Sequence, residues 1–214
     1  LKKYLVLGIL FLLPITVYIF FASGVNNFAK LPVLTENVSE LTNFKSFDSA
    51  SIQLEGKITV LGFFGNAVEE KKGNAFNLAH KIYKKNHQFE DFQFVILVTE
   101  DQRTSVTSLK NKISEIADPS KYHFAYAEPE VIAQVFLSLQ NKQELDAHHA
   151  SDWVYIIDKD RNLRGRKADE DEGVKYGFNA ADYAEINNKM GDDVKVILAE
   201  YRLALKKYKA KREI

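Results

Sequence analysis

The sequence predicts an α/β fold, a three-layer sandwich preceded by one N-terminal transmembrane helix. Three observations carry this. An uncharged apolar run fills the start of the chain, strand patterns then alternate with helical stripes, and a hairpin pattern followed by a long amphipathic helix closes it. The predicted boundaries are an anchor over 1–23, a tether and leading hairpin over 24–50, and the globular domain over 51–214.

Lys2-Lys3 precede the uncharged run, whose apolar centre is Tyr4 to Ala22. As a helix this centre spans about 28 Å, close to the roughly 30 Å hydrocarbon core of a bilayer. Pro14 kinks such a helix, which membrane helices tolerate. The paired lysines favour a cytoplasmic N-terminus and put the rest of the chain across the membrane. A cleaved signal peptide is the rival reading. Its apolar region is usually shorter, and Phe20-Phe21-Ala22-Ser23-Gly24 is a poor cleavage site. A buried soluble helix does not fit, because the run has no polar face.

Ile58 to Phe64 is the first core strand, and a helix over about 72–86 follows with Phe76, Ala79 and Ile82 or Tyr83 inward. Phe92 to Val98 is almost continuously apolar, as a strand covered on both faces should be. Val106, Leu109, Ile113 and Ile116 form a helical stripe that ends at Asp118-Pro119. Tyr122 to Ala127 reads as a short strand. Glu128-Pro129-Glu130 opens a helix with Ile132, Val135, Phe136 and Leu139 inward. Trp153 to Ile157 is a strand, Asp158 to Asn162 carries turn chemistry, and Leu163 to Arg166 pairs back. Asp192 or Asp193 is expected to cap the last helix, whose end from Lys206 to Arg212 is basic.

A parallel pair joined by a crossover helix, then an antiparallel hairpin and a helix, is a thioredoxin-like layout. The 214 residues are 46% hydrophobic and 27% charged, a globular composition. Lys plus Arg and Asp plus Glu are 29 each, which gives no general attraction to nucleic acid. There is no cysteine, which excludes disulfides, thiolate metal sites and thiol catalysis.

The anchor, the strand Ile58 to Phe64 with Gly65, the helix Asn74 to Tyr83, the stretch "VYIIDKDRNL" at 154–163 and the terminal helix together resemble the Sco/SenC family. These are membrane-anchored thioredoxin-like proteins that deliver copper to cytochrome oxidase. Each motif alone is common, and the order of parts carries the resemblance. The resemblance implies a loop after Gly65 with two cysteines separated by three residues. Counting on from Gly65, those places hold Glu69 and Gly73. It also implies a histidine before the later hairpin. Counting back from Asp158, that place holds Ala150, with His149 adjacent and His148 next to it. A one-residue shift matters, because successive side chains of an extended segment face opposite ways.

Copper(I) prefers soft sulfur ligands, and the only such group here is Met190. A set of Glu69, His148 and His149 would suit Cu(II) or Zn(II) instead. The bland alternative is that both histidines are ordinary loop residues. His80 and His87 lie seven apart, too far to share one metal, and read as surface groups, while His123 reads as half-buried in a strand. Asp169 to Gly173 lacks the ligand spacing of a calcium loop and reads as a solvated loop neutralised by Arg164, Arg166 and Lys167. A phosphate-binding role for Arg164 and Arg166 stays open at this stage.

Two functions are expected. The first is a single-pass protein of the inner membrane, its domain on the periplasmic or extracytoplasmic side. It would be redox-inactive and serve as an adaptor that binds a protein partner in respiratory-complex or envelope-protein assembly. The second is a copper or zinc carrier using Glu69, His148 and His149. No activity as an enzyme is expected.

Overall fold

The structure is a computed structural model. It describes residues 2–23, 30–47 and 51–212. Of the expected tether and leading hairpin, 24–50, residues 24–29 and 48–50 lie outside the described residues.

Helix α1 is Lys2–Ser23, with Pro14 inside it. Tyr4 and the apolar residues from Val6 to Ile19 are largely exposed. Among the described residues no helix is long and apolar enough to cross a membrane. The anchor therefore remains a sequence-based expectation.

Ten strands follow in chain order: β1 (Val33–Thr35), β2 (Lys45–Ser46), β3 (Ile58–Gly65), β4 (Phe92–Val98), β5 (Tyr122–Tyr126), β6 (Trp153–Ile157), β7 (Leu163–Arg164), β8 (Arg166–Asp169), β9 (Gly173–Lys175) and β10 (Phe178–Asn179). The helices between and after them are α2 (72–86), α3 (Arg103–Ser114), α4 (Pro129–Ser138) and α5 (183–212). The main sheet has the order β1-β7-β6-β3-β4-β5-β2, with β10 also paired to β6. β3 and β4 run parallel, from Ile58 opposite Phe92 to Gly65 opposite Val98, and β5 runs parallel to β4. β6 is antiparallel to β3 and β7 antiparallel to β6. This is the expected thioredoxin-like core: a parallel crossover unit beside an antiparallel hairpin.

Both faces of the sheet are covered, so the central strands are apolar at consecutive positions. On one face Ile58, Val60, Phe94 and Ile96 pack with Leu78 and Ile82 of α2, Val106 and Ile113 of α3, and Val194 and Ile197 of α5. On the other, Leu61, Phe63, Val95 and Leu97 pack with Ile132, Val135 and Phe136 of α4 and with Val38, Leu41 and Leu54.

Four details depart from the sequence reading. β1 and β2 do not form a leading hairpin. They add to opposite edges of the sheet, on β7 and β5, so residues 33–46 belong to the globular part. α2 passes through a π-helical turn, Ala79–Tyr83, which rotates its inward face. Ala79, Ile82 and Tyr83 are buried as expected and Phe76 packs partly buried against the same core, while Asn74, Ala75 and Leu78 are buried in addition. α5 begins at Tyr183 rather than beside Asp192. Its cap is Asp182, which accepts from the amides of Ala184 and Glu185, and a π turn at Ile186–Met190 carries it onward. Finally, Asp169 is not solvated. It ends β8, is buried, and accepts from Lys189 Nζ at 2.8 Å and Arg166 Nη1 at 3.3 Å.

Candidate functional site

β3 ends at Gly65, and the loop 146–151 lies across that end. Gly65 has a φ of 48°, and a Cβ there would stand 1.9 Å from the His148 carbonyl oxygen. Only glycine admits so close a backbone approach. The Asn66 amide donates to that same oxygen at 3.0 Å, and the Ser151 amide donates to Phe63 O at 2.8 Å. Asp146 shapes the loop from within: its Oδ1 accepts from the amides of His148 and Ala150 at 2.8 and 2.9 Å. His149 takes a left-handed backbone conformation, with φ at 52°.

This arrangement sets the histidine loop against the junction after β3, while no contact joins Glu69 to either histidine among the described bonds. His148 Nδ1 lies 2.9 Å from Asn66 Oδ1, so the histidine loop meets the junction directly after β3. Both side chains are exposed. Ala150, at the place where the resemblance implies a histidine, is fully buried. Glu69 turns to Lys72 one turn on, and that hydrogen bond and charge hold its carboxyl below the usual range. Gly73 is exposed, with open space around it.

Sequence reading missed the polar group that ties the junction together. Asp152 Oδ1 accepts from Lys71 Nζ at 2.8 Å and from Asn74 Nδ2 at 2.7 Å. Burial alone would raise the Asp152 carboxyl, but these bonds and the lysine charge outweigh it and hold it below the usual carboxylate range. A carboxylate from the start of β6 thus sits beside the first turn of α2, where a helix favours negative charge. No local signal marks this cluster, because Asp152 is 81 and 78 residues from its partners.

Beside Asn66 an open cleft of about 340 Å³ lies across the carboxyl ends of β3, β4 and β5. Thr99, Glu100, Asp101, Ala127, Glu128 and Pro129 complete its lining. Bonds from Thr99 and Gln102 hold the Asp101 carboxyl below its ordinary value. The carboxyl edge of parallel strands is where α/β sheets commonly bind.

Copper(I) does not fit these residues. Glu69 and Gly73 supply no sulfur, and Met190, in the π turn of α5, is buried in the core. Among the described residues no group of three or more His, Asp and Glu side chains is placed to hold a metal. The other histidines are dispersed: His80 is exposed on α2, His87 bonds to Lys84 O, and His123 is half-buried in β5. The two arginines left open for phosphate are occupied. Arg164 is buried against Asp158, Glu200 and Leu31 O, and Arg166 grips Asp193 through two bonds of 2.9 Å.

No protein-family model matches the sequence, and no curated protein matches it. Solved structures do. BsSco, a member of the Sco family of cytochrome c oxidase assembly proteins, superposes with a TM-score of 0.53 at 14% identity, over 79% of this chain and 98% of its own. A protein provisionally described as an electron transfer protein from Aquifex aeolicus VF5 gives 0.52 at 13% identity, over 78% and 94%. One provisionally described as a protein disulfide isomerase from Bacteroides thetaiotaomicron gives 0.50 at 14%, over 80% and 95%. The chain therefore has the mixed α/β, thioredoxin-like fold found in a Sco protein, without a cysteine anywhere in its sequence.

Proposed function

We propose that this chain is a membrane-anchored, redox-inactive adaptor on the thioredoxin-like scaffold, with its domain on the extracytoplasmic side. Its work is recognition of a protein partner in respiratory-complex or envelope-protein assembly. One observation carries the reading. The junction after β3, where thiol proteins of this fold keep their chemistry, is here a fixed polar surface. Lys71, Asn74 and Asp152 bind its two segments together, and Asn66 and His148 face outward. A surface of this kind can be recognised but has no group that shuttles electrons.

The placement of the two ends of the sheet supports the same reading. The chain enters the domain at Leu31, whose carbonyl accepts from Arg164 beside Asp158, at the start of β3. The cleft lies at the finish of β3, about 20 Å away along the strand. An anchored domain built this way presents its cleft away from the bilayer.

The test is site-specific photo-crosslinking in membranes. A photoreactive residue at Asn66 is expected to capture a discrete protein partner, and the same residue at Glu55, near the start of β3, is not. Equal capture at both positions, or no reproducible partner at Asn66, overturns the adaptor.

A further inference from the structure

β8 and β9 form a two-stranded ribbon of their own, outside the main sheet. Residues 166–175 read RKADEDEGVK, and only Ala168 and Val174 among them are apolar. Ala168 is exposed and Val174 half-buried, so neither enters the two apolar cores. The buried residues of the ribbon are Asp169 and Lys175, both charged. Among the described residues no backbone–backbone hydrogen bond joins 166–175 to the rest of the domain.

A two-stranded ribbon is marginal by itself in water. Ion pairs hold this one against α5. Arg166 donates to both carboxylate oxygens of Asp193 at 2.9 Å and to Lys189 O at 3.1 Å. Lys189 in turn holds Asp169 at 2.8 Å and also binds Asp171. At the open end of the ribbon Lys175 Nζ binds Glu172 and lies 2.8 Å from Glu185. The ribbon is also one wall of a cavity of about 220 Å³. Glu172 and Val174 line it from the ribbon, and Trp153, Tyr176 and Gly177 line it from the body of the domain.

We propose that the β8–β9 ribbon is an ion-latched flap over Trp153. Its attachment depends on charge, whereas the main sheet is held by apolar burial. Its joints are Gly165 before β8 and Tyr176 after β9. Opening breaks the pairs of Arg166 with Asp193, of Lys189 with Asp169 and Asp171, and of Lys175 with Glu172. Both apolar cores stay closed, since no ribbon residue belongs to them. Segments with few apolar contacts open locally at a lower cost than the whole domain. The open state removes one wall of the cavity and bares the indole of Trp153, directly after Asp152 of the polar cluster. The flap is independent of the adaptor reading and of the anchor.

Trp153 is the single tryptophan, so its fluorescence reports the flap without ambiguity. The test uses the full chain in detergent. Lys189→Met with Asp193→Asn strips the latch on α5. In this double variant acrylamide quenching of Trp153 is expected to rise about threefold and amide exchange over 166–175 about tenfold, equivalent to about 1.4 kcal/mol. Exchange across β4 should not change. Lys195→Met, which removes an exposed pair with Asp192 on the same helix, should alter neither reading. Unchanged quenching and ribbon exchange in the double variant overturn the flap. Equal acceleration in the ribbon and in β4 overturns it too, because the ribbon then opens only with the domain. The parent chain gives a check that needs no variant. Its ribbon amides should exchange at least about tenfold faster than those of β4, and equal rates overturn the flap.

Discussion

The two ends of the β3–β6 pair are built from opposite materials. At the start of β3, Asp158, Arg164 and Glu200 form a dry ion cluster, with the Arg164 and Asp158 side chains 5% and 2% exposed. Asp158 also holds the turn after β6, accepting from the amides of Asp160 and Asn162 at 2.9 Å. At the finish of β3 the polar groups are wetter. Asn66 and His148 are exposed, and the Asp152 side chain is 43% exposed. Buried ion clusters hold one geometry strongly once every member is paired, whereas exposed pairs contribute little to stability. The difference teaches that attachment and exposed polarity are segregated. One end fixes the incoming chain to α5, and the other leaves its polar groups open to solvent.

Substitutions at the two ends should therefore separate by size. The largest effect is expected from Arg164→Met, which removes the cation between Asp158 and Glu200 and leaves the buried Asp158 carboxylate without its ion-pair partner. Denaturant unfolding of the full chain in detergent should show a loss of about 3–5 kcal/mol. A loss under about 1 kcal/mol would remove the contrast between the ends. Gly65→Ala comes next, because its Cβ collides with backbone rather than with a side chain that could turn away. The loop 146–150 must shift and the positive φ is strained, a combined loss of about 2–4 kcal/mol in the same measurement.

Acid should sharpen the comparison through the pair that joins β8 to α5. Burial pushes the Asp169 carboxyl up, but Lys189 and the Asp171 amide outweigh it and hold it at about 2. A carboxyl depressed on folding contributes stability above its unfolded value of about 3.9, and that contribution disappears as pH falls from there toward 2. With solvent screening around Lys189, the amount is about 1–2 kcal/mol. Asp169→Asn should flatten the stability profile between pH 4 and 2, as unfolding titrations at a series of pH values would show. A profile unchanged from the parent chain would mean the pair is not closed in solution. The smallest changes in stability belong to the cleft end. Asp152→Asn should cost about 1 kcal/mol or less and His148→Ala less still. His148→Ala should nonetheless lower the yield of crosslinking from Asn66, and an unchanged yield would detach the histidine from the recognition surface.

The central strands and most helices were legible because their signals are local. Phe92 to Val98 reads as a covered strand from its unbroken apolar run, and the stripe Val106, Leu109, Ile113 reads as one helix face. The π turn in α2 was not legible, since no local pattern marks it. The cap of α5 was placed ten residues late. Asp182 and Asp192 are both acceptable caps locally, and only the docking of Ile186 and Met190 into the core decides between them. The charged run at 169–172 looked uniformly solvated, yet Asp169 alone is drawn inward by Lys189 and Arg166.

At the candidate site the balance was the same. Sequence located the junction after Gly65 and the histidine loop, and the fold does bring His148 to Asn66. The Lys71, Asn74 and Asp152 cluster had no signature, because a hydrogen bond across some eighty residues leaves no periodicity to read.

The sequence by itself determined the order of the central strands and their helices, the apolar leading segment and the absence of thiols, since each is written in neighbouring residues. Tertiary structure alone decided which charges are buried, that the chain's entrance is locked to α5, and that the cleft faces the other way. Those outcomes depend on contacts between segments far apart in the chain, whose partners are selected by packing and desolvation rather than by local pattern.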